Sequence, residues 1–137
     1  MLPSGLPENI EDGEDLARFL VQRSQFTQTM VKPAAFLPNP KDKETSVARH
    51  GSEPADVLWQ LGRIAAGTRT LYGAAIFKAR IVRQAGLEVA PAEPPPRHAV
   101  IRGWPWEADD EIDRKAERKL LAIEIASAAG PPIFISS

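Results

Sequence analysis

Cysteine is absent from this chain of 137 residues, which removes disulfides, thiolate metal ligands and cysteine nucleophiles together. Histidine occurs only twice, at His50 and His98, far apart in sequence and without thiols, so a zinc site has little support. No apolar run is long enough to cross a bilayer. The start, MLPSGLPENIEDGEDL, is acidic and broken by Pro and Gly, and it lacks the basic and apolar regions of a secretory signal. Also missing are a G-x-S-x-G elbow, an H-E-x-x-H pair, a Walker loop and any internal repeat. The expectation is a non-enzymatic cytoplasmic protein, with no catalytic residues, cofactor, metal or membrane partner.

What is present has the balance of one folded unit. Hydrophobic residues make up 43% and charged residues 26%, close to globular averages. The length allows one core without a disulfide or metal staple. Residues 1–12 are expected to be a flexible acidic lead-in and 13–137 a single α+β domain.

The net charge of −1 conceals an uneven distribution. Residues 1–15 hold five acids and no base, 16–106 hold thirteen bases against six acids, and 107–137 hold four bases against seven acids. A basic middle between acidic ends reads as a phosphate-facing surface or, with more weight, as ends folding back on the middle.

Periodicity predicts a helix over 13–29, capped by Asp12, with Leu16, Phe19, Leu20 and Phe26 at helical spacing. Residues 31–37 read as an edge strand interrupted by Pro33, and 45–49 as a second strand. Ser52 and Pro54 announce a helix that Gly67 ends, with Val57, Leu58, Leu61, Ile64 and Ala65 as its inner face. Residues 71–82 read as a strand, 90–96 as a stiff proline spacer and 98–103 as a further strand. A last helix over 108–129 has Ile112, Ala116, Leu120, Ile123 and Ser127 as its expected inner stripe, widened by Leu121 and Ile125. Together these give an α+β fold, with about three helices packed on a small, mostly antiparallel sheet.

One segment stands out chemically. RHAVIRGWPW, residues 97–106, gathers Arg97, His98, Arg102, Trp104 and Trp106 behind the proline run. Arginine and tryptophan are the types enriched where interfaces carry most binding energy, so these five are the partner-binding candidates. The competing reading makes the tryptophans wedges between sheet and last helix, or splits them, one ring buried and the other at the surface. A second set, Arg49, His50, Lys78 and Arg80, supplies candidates for phosphate or RNA contact if it meets His98 and Arg102 across a sheet. The acids at Asp109, Asp110, Glu111 and Asp113 are explained by the macrodipole of a helix start.

The layout F-L-P…S-V-x-R…R-H-A-x-I-x-G-W-P, carried by Phe36–Pro38, Ser46–Arg49 and Arg97–Pro105, resembles that of small uncharacterised bacterial proteins. The resemblance implies no activity and assigns no residue a role. The functional expectation is an adaptor or binding protein of a bacterial multi-component system, docking through 97–106 on a protein partner or on itself. The alternative is a small RNA-acting or phosphate-binding protein with an Arg/His face.

Overall fold

A computed structural model describes residues 2–50, 53–106 and 111–135. The first strand, β1 (Asp15–Leu20), is followed by two short 3-10 turns at Arg23–Gln25 and Pro33–Ala35. Then come β2 (Thr45–Arg49), α1 (Ala55–Ala66), β3 (Gly73–Lys78), α2 (Ala79–Gln84), β4 (Glu88–Pro91), β5 (His98–Arg102), α3 (Glu111–Ala128) and β6 (Ile133–Phe134). The six strands form one antiparallel sheet in the order β4-β5-β2-β1-β3-β6. The fold class is α+β, as the sequence predicts.

Both faces of the sheet are covered. On one face Leu16, Leu20, Val47, Phe77, Ala99 and Ile101 pack with Val82 of α2, Ala122 and Ile125 of α3, and Trp104. On the other, Ala17, Phe19, Ala48 and Ala74 meet Leu58 of α1. A central strand covered on both sides loses the polar alternation of a half-exposed one. That explains the main correction: residues 15–20 are a strand, and 13–29 is not a helix. The spacing of Leu16, Phe19 and Leu20 fits either period, because Leu16 and Leu20 face one layer and Phe19 the other.

Residues 31–37 are likewise no strand. Val31 makes an isolated bridge to Phe26, and Pro33 opens a 3-10 turn. The predicted strand over 71–82 stops at Lys78, where the chain turns directly into α2. The proline run is shared, since Ala90 and Pro91 pair with β5 at the sheet edge, where proline's missing N–H costs nothing. α1 ends at Gly67, whose φ of 61° suits glycine, as expected. Its buried positions, however, are Leu58, Gly62 and Ala66, with Ile64 58% exposed. The Ser52 cap and the acids at 107–110 lie outside the described residues.

The last helix is where predicted but turned about its axis. Arg118, Ala122, Ile125 and Ala126 face inward, while Ile112 is 84% exposed, Leu120 66% and Ile123 39%. Of the predicted inner face, Ile112, Ala116, Leu120, Ile123 and Ser127 point outward, while Ile125 is buried and Leu121 packs against the core as expected. No helix among the described residues is long and apolar enough to cross a membrane.

Candidate functional site

The segment 97–106 spends most of its side chains inside its own chain. Arg97 reaches Glu53 at 3.3 Å, and Arg102, at the far end of β5, pairs with Glu88 at 3.0 Å. The Nδ1 of His98 lies 2.9 Å from the Ala92 carbonyl, which only accepts, so Nδ1 carries a proton and donates. Trp104 is buried in the core, with its indole N–H donating to the Ile101 carbonyl at 3.3 Å. Trp106 is half-buried, with the Arg118 guanidinium 3.7 Å from its ring centre and the Lys43 ammonium 5.7 Å away. The two rings flanking Pro105 therefore sit in different environments.

The phosphate candidates do not share one place. Arg49, 1% exposed, clamps Glu14 through two bonds of 2.7 and 2.8 Å and also donates to the Pro7 and Asn9 carbonyls. Lys78 pairs with Asp15 at 2.7 Å, while Arg80 is exposed on α2. These contacts and that of Arg83 with Asp12 put acids of the N-terminal segment on bases of the middle, so the acidic start folds back on it. His50 has a buried Nδ1 with no hydrogen-bond partner among the described residues. Burial holds its pKa below the ordinary 6.5, and Arg97 adds to this against Asp15 and Glu53. No group of three or more His, Cys, Asp or Glu among the described residues has the arrangement of a metal site.

The concave feature lies elsewhere. β1 pairs with β3 along its whole length but with β2 only at Leu16–Arg49 and Ala17–Ala48. Beyond Ala17 the two strands part, and a cleft of about 610 Å³ opens there. Arg18 occupies the opening, donating from Nε to the Ala35 carbonyl at 2.6 Å and from Nη1 to the Ser46 carbonyl at 2.9 Å. It thus satisfies a strand carbonyl that the interrupted β1–β2 ladder leaves free. Arg69 lines the same cleft and bonds the Ala65 and Ala66 carbonyls at the C-terminal end of α1. Neither arginine forms an ion pair among the described residues, and the Arg18 pKa falls to about 10 through burial and then through the charge of Arg69. Of the nine residues singled out from the sequence, His98 alone lines this cleft. Arg18 and Arg69 escape sequence reasoning because one sits in a segment with helical spacing and the other in a turn.

A second feature is the outward stripe of α3. Ile112, Ala116, Leu120 and Ile123 fall within one narrow arc at 100° per residue, roughly opposite the buried Arg118, Ala122 and Ile125. Near its C-terminal end, Ile123, Met30, Pro33 and Pro131 border a groove of about 360 Å³. No protein-family model, no curated protein and no solved structure matches the chain.

Proposed function

We propose that the protein is a non-enzymatic binding component, working in the cytoplasm, whose docking surface is the outward face of α3 and whose occupant there is a second copy of the chain. The observation that carries this reading is the apolar stripe left without a partner on an otherwise well-packed helix. Isolated exposed apolar residues are ordinary, whereas an aligned set spaced 4, 4 and 3 residues apart has the form of a helix-pairing seam. The absence of cysteine suits a reducing compartment.

Charge argues for self-pairing. Looking along α3, Lys115 and Lys119 flank the stripe on one side, and Asp113, Glu117 and Glu124 flank it on the other. Two such helices side by side in parallel set the basic flank of each against the acidic flank of the other. An antiparallel pair would set like against like. The parallel register brings Lys119 towards Glu124 of the partner subunit, the five-residue offset of a coiled-coil flank pair. The segment 97–106 contributes indirectly, since Trp104 and the Trp106–Arg118 stack hold the start of α3 against the sheet.

Sedimentation equilibrium of the full chain tests this. The expected result is a reversible dimer that Leu120→Asp combined with Ile123→Asp converts to monomer, with the melting temperature unchanged at concentrations low enough for the wild-type chain to be monomeric. Lys119→Glu should weaken the dimer, and adding Glu124→Lys should restore it. A chain monomeric at every concentration overturns self-pairing, and failure of the double charge swap to restore it overturns the parallel arrangement.

A further inference from the structure

We infer that the cleft between β1 and β2 binds a small organic anion, its charged head held by Arg18 and Arg69 and its apolar body lying against Leu61, Ile64 and Pro95. The site is on the α1 side of the molecule and is independent of pairing through α3.

Three observations converge on this ligand. The first is two guanidiniums in one cleft, neither of them ion-paired among the described residues. Arg69 is close enough to disfavour the charge on Arg18, and both donate only to main-chain carbonyls. A guanidinium has five N–H donors, and two of those on Arg18 are used. Burying a cation beside a second one is costly, and an anion bound to both offsets the repulsion and the hydration that Arg18 has lost.

The second is size and lining. At about 610 Å³ the cleft is in the range of small-molecule sites, and its walls combine apolar side chains such as Leu61, Ile64 and Pro95 with polar ones such as Gln22, Asn39 and Ser46. Inorganic phosphate would leave most of it empty. The third is the pair Asp42 and Glu44, which also line the cleft while making no ion pair with either arginine. Their charge disfavours an extended polyanion and selects a ligand with one compact anionic head, a carboxylate or a phosphate monoester. His98, whose Nδ1 is taken by the Ala92 carbonyl, leaves Nε2 as its one further polar atom for that ligand.

Titration of the full-length protein, followed by amide NMR shifts and calorimetry, tests the site with phenyl phosphate, benzoate, inorganic phosphate, benzyl alcohol and a single-stranded RNA oligonucleotide. Expected is saturable binding of phenyl phosphate or benzoate, whichever head fits, with shifts at Arg18, Ser46, Arg69 and His98. Benzyl alcohol should not saturate. Arg69→Gln, an exposed change that leaves the fold intact, should weaken the anion roughly tenfold or more, as loss of a charge-assisted contact does. Arg18→Lys, which keeps the charge and loses the planar fork, should weaken it as well. No saturable shift with either organic anion overturns the inference, as does binding indifferent to Arg69→Gln. Inorganic phosphate binding as tightly as phenyl phosphate overturns the role of the apolar walls. Tighter binding of RNA at the same residues replaces the ligand class.

Discussion

Trp104 and Trp106 show how two identical side chains two residues apart come to different uses. Trp104, 6% exposed, belongs to the cluster that joins Ile101 of β5 to Ile125 of α3. Trp106 is half in solvent with the Arg118 guanidinium on its ring. Pro105 between them fixes its own φ and restrains its neighbour, so the chain holds both rings in set relation. Trp104→Ala should therefore cost about 3–5 kcal/mol, the scale for deleting a buried aromatic. Trp106→Ala should cost about 1 kcal/mol, the scale of a partly solvated cation–π contact. Chemical denaturation of the two variants checks this, and equal losses would contradict the assignment. The sequence shows that these residues matter without showing how. A cluster of tryptophan and arginine has the same composition whether it meets a partner or the chain's own last helix.

At the scale of elements, α3 carries the clearest consequence. Ala122 is fully buried and Leu120 is 66% exposed, although leucine is the more apolar residue. Ala122→Asp should destabilise by about 3–5 kcal/mol, as expected of a charge stranded in a core. Leu120→Asp should stay within about 0.5 kcal/mol in the monomer. Thermal melts of the two at low protein concentration make the comparison. The sequence alone places Leu120 on the inner face and gives Ala122 no place there, for a physical reason. A hydrophobic stripe marks a face to be covered, and periodicity does not say whether this chain or another one covers it. α3 has two such faces, and the inward one is disguised by Arg118, which is buried because it reaches the Pro105 carbonyl and the Trp106 ring. Strands β2 and β5 and helix α1 are legible because turn or cap residues bound them. β1 is hidden by burial on both faces, and the break between β3 and α2 at Lys78 and Ala79 carries no Gly or Pro to announce it. The cleft is illegible for a different reason, since it arises where two strands distant in sequence separate after only two pairs.

On the scale of the whole molecule, the sheet is two three-stranded halves, β4-β5-β2 and β1-β3-β6, joined along the short β1–β2 seam. At one end of the seam the strands part around Arg18 to form the cleft. At the other end Arg49 of β2 locks onto Glu14 and onto the carbonyls of Pro7 and Asn9. Asp12 and the Ile10 carbonyl hold Arg83 of α2 at 2.5 Å, and Ile10 itself is 2% exposed. The N-terminal segment, expected from its acids and its Pro and Gly to lead in loosely, thus meets both halves of the sheet. Glu14 is the partner that matters most, because a buried guanidinium left without its carboxylate keeps the desolvation cost and loses the attraction. Glu14→Gln should therefore lower stability by about 3 kcal/mol, the lower end of that range because the carboxylate is 17% exposed. Pairing it with Arg49→Met should recover much of the loss, since an apolar side chain of similar length needs no counter-charge. Equilibrium unfolding of the two single variants and the double variant measures the coupling. Additive losses would mean that the pair does not act as a unit and that the seam is held by its two strand pairs alone. A large coupling would make Arg49 and Glu14 the lock that lets the opposite end of the same seam stay open.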